Sequence, residues 1–311
     1  MYLYNFGPTV EVHAPAKLNL FLEVLGKRAD GFHDLETLMT TVDTFDTLKF
    51  TASSAVPDIE VHCRWAYGQR AVDREALGDL PQGSSNLVWR ALDLLRSVAG
   101  IESGGHVELV KRIPSAAGLG GASSDAAAAL LAANTAWGLN WSQRQLSEVA
   151  ARIGSDVPFF LVGGLAVCRG RGEQITPLPV DRQLHFVVVR PPQGISTAEA
   201  FSNCQAGTEL RSVEDVLGAW RRGDQRSWAT GMMNRLQQVA EDLSPWVRRL
   251  AKLFEHYRFL GHQMTGSGSS YFGVCHHARQ ARRLAAIFRS LNVGHVLCTR
   301  SLSARPVYSS S

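Results

Sequence analysis

Apolar and polar residues alternate over residues 10–14, which predicts a β-strand. A second extended run covers residues 16–24, and Pro15 between them predicts a break. Lys17 and Asn19 lie two apart in that run, so their side chains share one face. The turn signal Asp30-Gly31 predicts a hairpin connection over residues 26–35, with Phe32 partly exposed. Residues 40–50 and 59–61 read as further strands, and residues 64–83 as a surface excursion. An apolar stripe over residues 84–95 predicts a helix capped by Ser84, Ser85 or Asn86. Alternation resumes over residues 106–111, another strand.

A glycine-rich loop follows, Pro114-Ser115-Ala116-Ala117-Gly118-Leu119-Gly120-Gly121-Ala122-Ser123-Ser124-Asp125. Residues 126–133 are almost all Ala and Leu, strong helix formers. Ser123, Ser124 and Asp125 are expected to cap that helix with their side-chain oxygens. Glycines let backbone amides approach an anion, and a helix N-terminus adds partial positive charge. The loop is therefore a candidate phosphate cradle. It lacks the Gly-Lys-Ser/Thr ending of a Walker loop. It also lacks the third glycine of a dinucleotide fingerprint and an acidic residue about 20 positions on. A tight turn packing a helix on a sheet, with no ligand, is the alternative at this point.

Downstream, residues 142–152 read as an amphipathic helix capped by Ser142. Gly154 and Pro158 place Asp156 in a loop, where an aspartate is either a turn residue or a reactive carboxylate. Residues 180–189 read as a strand and residues 213–258 as helical with Gly and Ser interruptions. A second glycine loop spans residues 264–270, followed by strand 271–274, helix 279–291 and strand 294–299. The tail from Ser301 is expected to fray.

The chain has 311 residues, more than one core usually serves, so two domains are expected, 1–180 and 181–311. Hydrophobic residues make up 45% and charged residues 19%, as in a soluble globular enzyme. A net charge of +4 is too mild for a nucleic-acid binder. Five scattered cysteines without a Cys-x-x-Cys pair suit reduced thiols in a cytoplasm. No signal peptide and no apolar run of about 20 residues is visible, so a cytoplasmic protein without membrane attachment is expected.

Six motifs in order carry a resemblance. Residues 114–124 resemble the nucleotide loop of the GHMP kinases. Pro15-Ala16-Lys17-x-Asn19-Leu20, Arg28-x-Asp30-Gly31-Phe32-His33 and Asn86-Leu87-Val88 resemble the branch acting on a cytidine diphosphate methylerythritol, in the non-mevalonate route to isoprenoids. Gly154-Ser155-Asp156-Val157-Pro158-Phe159-Phe160 resembles that branch's catalytic aspartate motif, and residues 191–201 its link into the C-terminal domain. Residues 59–84 do not align with the pattern.

The resemblance implies a two-domain α+β fold. Its N-terminal domain would be like domain 2 of ribosomal protein S5, its C-terminal domain ferredoxin-like, with the active site in the cleft between them. It implies transfer of the γ-phosphoryl of ATP to a substrate hydroxyl. Asp156 would act as base and Lys17 would neutralise charge between it and the phosphoryl group. Asn19 would bind the acceptor end. Residues 114–124 would hold the triphosphate, with Lys111 lining the nucleotide pocket and Asn86 on the adenine side. Phe32 and Phe201 would sandwich the cytosine, with His33 and Thr197 beside them. Mg²⁺ would bridge phosphate oxygens near Ser124, without a dedicated protein ligand set. The partners implied are small molecules only, with a monomer or weak homodimer as the active form. A kinase for another small alcohol, or a family member that only binds nucleotide, are the remaining readings.

Overall fold

The computed structural model describes residues 1–54, 57–66, 77–180, 182–205, 207 and 209–303. The N-terminal part runs β1 (Tyr2–Phe6), β2 (Thr9–Lys27), β3 (His33–Ser53), β4 (Ile59–Trp65), α1 (Leu87–Ala99), β5 (Gly104–Lys111), α2 (Gly121–Ala136), α3 (Gln143–Ile153), α4 (Val157–Val162), β6 (Leu165–Gly170) and β7 (Gln174–Leu178). The remainder runs β8 (His185–Arg190), α5 (Thr197–Ser202), α6 (Val213–Arg221), α7 (Gln225–Gly231), β9 (Met233–Asn234), α8 (Gln237–Leu243), α9 (Pro245–Glu255), β10 (Gly261–Met264), β11 (Tyr271–Cys275), α10 (Ala278–Ser290) and β12 (His295–Arg300). Two sheets result. The larger has the order β1-β2-β3-β5-β4, with β6 on β3, β7 on β6 and β9 on β2. The smaller has the order β10-β11-β8-β12. This is the mixed α and β architecture expected, and no described helix is long and apolar enough to cross a membrane.

Helix α2 has no polar stripe. Residues 126–133 are all buried, between α1 and the inner face of β2 and β3. A helix apolar all round belongs in a core, and its alanines allow close approach. A second apolar cluster joins Leu18, Leu20 and Phe21 of β2 to Phe186, Val188, Trp228 and Phe272 of the C-terminal half. The two halves therefore share packed side chains along β2.

Three expectations change. Residues 10–14 and 16–24 form one continuous strand, and Pro15 marks a bulge in it. The partner of Pro15 is Phe45, that of Ala16 is Val42, so the register jumps where proline has no N–H to donate. Residues 213–258 are not all helical: Met233 and Asn234 pair in parallel with Phe21 and Leu22. Two residues carry no readable period, so only the partner strand defines them. Ser301 is not frayed. It is 3% exposed, pairs with Val42 and donates its N–H to the Leu184 carbonyl. Residues 304–311 of the expected tail, and 67–76 of the expected excursion, lie outside the described residues.

Arg235, just after β9, reaches Glu23 of β2 with two hydrogen bonds of 2.6 Å. Glu23 is 0% exposed. Burial pushes its carboxyl up, but Arg235 and the N–H groups of Arg211 and Val24 outweigh that and hold it below its usual 4.5. Arg235→Ala strands a buried charge, and a loss of about 3–5 kcal/mol at pH 7 is expected from urea unfolding. A carboxyl with a depressed folded pKa stabilises above its unfolded value and loses that as pH falls through the folded one. The gap between parent and variant should therefore narrow at acid pH.

Candidate active site

The cradle begins where β5 ends. Lys111, the last residue of that strand, points its ammonium between Asp46 of β3 and Asp125 of α2. Asp46 also accepts the N–H groups of Arg112 and Ile113, so one carboxylate anchors the start of the loop. Burial and the neighbouring Asp46 push the Asp125 carboxyl up to about 8, with Lys111 opposing them. Lys111 itself is held protonated, its carboxylate neighbours overcoming burial. It lines the cavity as expected, with its charge already balanced by two acids.

The loop then turns through left-handed conformations at Ala116, Gly118 and Gly120, with φ of 48°, 70° and 70°. Gly120 is the N-cap of α2, and no side chain caps the helix. Ser123, Ser124 and Asp125 were expected as caps and instead lie inside the first turns. Because the chain reverses at Gly120, the helix starts before them. Its first-turn N–H groups are left for a ligand, and Gly121, Ala122 and Ser123 line the cavity.

The glycines answer to protein contacts. A Cβ at Gly118 would lie 2.1 Å from the Thr265 carbonyl oxygen, and one at Gly120 2.8 Å from Phe160 and 2.9 Å from Lys17. Glycine here permits the loop to pack on β2, α4 and the second glycine loop. The Lys17 N–H donates to the Leu119 carbonyl at 2.9 Å, and the Ser270 N–H to Ala117 at 3.3 Å.

Lys17 is 3% exposed. Its ammonium donates to Asn19 Oδ1 at 2.5 Å and lies 3.6 Å from Asp156 Oδ2. Burial lowers its pKa, with Asp156 opposing the shift. Asp156 sits at the N-cap position of α4 but makes no capping bond, so its carboxylate is free to face Lys17. Asn19, expected to bind the acceptor, directs its carboxamide into the protein. Its Oδ1 also lies 3.2 Å from the Thr265 hydroxyl, and its Nδ2 donates to Thr37 at 2.9 Å.

These groups face one cavity of about 1120 Å³. Pro114 to Gly118, Gly120 to Ser123, Lys17, Asn19, Asn86, Lys111 and Asp156 line it, as do Phe32, His33, Thr197 and Phe201. Leu119 and Ser124 do not; Ser124 is 0% exposed. Asn86 caps α1, accepting from the Val88 N–H, and donates to the Pro81 carbonyl. His33 stacks on Phe201 at 5.3 Å between ring centroids. Arg171 covers one face of Phe32 at 4.6 Å. Thr197 shares a 2.8 Å hydrogen bond with Ser267 of the second glycine loop. Phe32 is thus covered by a guanidinium and Phe201 by an imidazole.

Sequence reasoning missed Arg171, Ser267, Thr37 and Thr265. Arg171 sits between Gly170 and Gly172 in the β6–β7 connection, a turn signal that could have flagged a cation at a hairpin tip. Thr37 and Thr265 are 228 positions apart and carry no local signature.

The residues present fit a nucleoside triphosphate with Mg²⁺. The uncapped N-terminus of α2 would suit an anion, and among the described residues Asp125 Oδ1, at the cavity wall, is buried without a hydrogen-bond partner.

Comparison with known proteins bears on the same segments. The GHMP kinases N terminal domain matches residues 86–164, and the GHMP kinases C terminal matches residues 213–293. The 4-diphosphocytidyl-2-C-methyl-D-erythritol kinase of Pelotomaculum thermopropionicum is 39% identical over 294 residues, covering 94% of this chain and 98% of its own. The enzyme of that name from a Nocardioides species is 38% identical over 280 residues, covering 88% of this chain and 91% of its own. A crystal structure of 4-(cytidine 5'-diphospho)-2C-methyl-D-erythritol kinase superposes with a TM-score of 0.73 at 32% identity, over 94% of this chain and all of that one. A homoserine kinase from Cytophaga hutchinsonii shares the fold, with a TM-score of 0.70 at 19% identity over 98% of each chain. With relatives this similar over nearly their whole length, the chain belongs to the 4-diphosphocytidyl-2-C-methyl-D-erythritol kinase family of the GHMP kinases.

Proposed function

We propose that the protein transfers the γ-phosphoryl group of ATP to the 2-hydroxyl of 4-diphosphocytidyl-2-C-methyl-D-erythritol, giving the 2-phosphate and ADP for isoprenoid precursor synthesis. The observation that carries the chemistry is the Lys17–Asp156 pair, 3.6 Å apart, in the same cavity as the cradle and the Phe32–His33–Phe201 group. Phosphoryl transfer is mostly positioning and charge stabilisation. The first-turn N–H groups of α2 hold the phosphates and offset their charge. Asp156 Oδ2 accepts the proton of the attacking hydroxyl. Lys17 lies 3.6 Å from that carboxylate, and its burial strengthens its attraction for charge on the transferring group. Asn19 acts through Lys17, fixing the ammonium between β2 and the second glycine loop.

Asp125 would help hold Mg²⁺, which would supply charge neutralisation on the phosphates. Phe32 and Phe201 bind the cytosine between them. We place the division between the two units at residue 180, after β7, and the reaction in the cytoplasm, where five free thiols stay reduced. A monomer or weak homodimer is the active form in this reading.

ADP release from Mg·ATP separates the acceptor choices. Activity with the cytidine diphosphate substrate, and none with mevalonate, homoserine or galactose, is expected. Activity only with one of the other alcohols would replace this reading.

Asp156→Asn keeps the size and removes the base. General-base contributions are about 10²–10⁴-fold, so kcat should fall by that range with ATP binding intact. Near-normal kcat would make Asp156 a turn residue.

Phe32→Ala or Phe201→Ala should raise KM for the cytidine substrate about ten-fold, because base–aromatic stacking is worth roughly 1–3 kcal/mol. KM for ATP should hardly change. The double variant should be non-additive, since the two rings would contact the same base. Steady-state kinetics on both singles and the double read this directly.

A further inference from the structure

A second cluster of chemical side chains lies apart from the cavity. Glu60 and His62 are two apart on β4, so both side chains leave the same face of the strand. Strand β5 runs parallel beside it, with His106 opposite Glu60. One ligand atom from each of Glu60, His62 and His106 lies within 4.8 Å of the other two. The imidazoles are tilted with centroids 4.9 Å apart, and His106 Nδ1 is 3.5 Å from Glu60 Oε2. None of the three lines the active cavity. Cys63, the next residue on β4, points the other way and does line it.

We propose that Glu60, His62 and His106 form a binding site for a borderline divalent transition-metal ion such as Zn²⁺ on the outer face of the sheet. Two imidazoles and one carboxylate are a donor set that suits Zn²⁺, with water completing the coordination. Mg²⁺ and Ca²⁺ favour oxygen donors and are poorly served by it. The same face of the sheet carries charges of both signs, with Arg64 two residues after His62 on β4. Glu108 stands opposite His62 in register, and the nearby Lys49 is paired with Glu11 at 3.2 Å. Strand β4 is at the edge of the sheet, held on one side by β5. A bound ion would tie that edge strand to its neighbour through side chains, in addition to the backbone ladder. Only the folded protein brings the three ligands together, so the ion stabilises the fold.

The test is calorimetric titration of the full chain with ZnCl₂ under reducing conditions. The parent is compared with His62→Ala, Glu60→Gln and the His62→Ala/His106→Ala double variant. All three positions are at least partly open to solvent, so the variants should fold, which circular dichroism checks. The parent should bind one more equivalent of Zn²⁺ than the double variant. Each single variant should bind that equivalent at least ten-fold more weakly. Zn²⁺ should raise the Tm of the parent more than that of the double variant, and excess Mg²⁺ should not displace it. Equal stoichiometry and affinity in parent and double variant would overturn the proposal, as would ready displacement by Mg²⁺.

Discussion

An ammonium group taken almost wholly out of water is the constraint on which the site depends. Lys17 on β2 is 3% exposed, and desolvating a charge is costly unless partners stand in for water. Those partners are Asn19 on the same strand and Asp156 at the start of α4. Asn19 is held in turn by Thr37 of β3 and Thr265 of the second glycine loop. One buried charge therefore draws together β2, β3, α4 and a loop from the C-terminal half. The same burial that makes Lys17 expensive makes its charge effective, since little solvent screens it.

The glycine loop is shaped by that arrangement. Gly120 leaves space for the Lys17 stem and Phe160, and Gly118 for the Thr265 carbonyl. Holding the loop this closely against β2 sets the uncapped end of α2 beside the Lys17–Asp156 pair. The cradle and that charged pair then share one wall of the cavity. At the base of the cradle, Lys111 with Asp46 and Asp125 is a second buried charge cluster. It balances itself and anchors the loop at both ends.

The link between halves is packed as well as polar. Apolar residues of β2 share a cluster with the smaller sheet, and β9 docks on β2 through backbone pairing and the Glu23–Arg235 pair. Aromatic groups from each half, His33 and Phe201, meet at the far end of the cavity.

Most of the elements are legible along the chain, because alternation, capping residues and glycine punctuation are local signals. The sequence also placed Lys17 and Asn19 on one face, since a strand repeats every two residues. The ordered motifs carried the family and with it the reaction. Tertiary structure alone decided what depends on residues far apart in the chain. Pro15 became a bulge because β3 continued alongside it, and Met233–Asn234 became a strand because β2 offered an edge. The glycines at 118 and 120 were legible as a tight loop, but the groups they make room for come from residues 17, 160 and 265. Local residues left Asp156 a turn residue or a reactive carboxylate, the resemblance made it the base, and the fold sets a lysine 139 positions away 3.6 Å from it. Local patterns encode backbone conformation, whereas the charge, burial and spacing that make a site arise only when distant segments pack together.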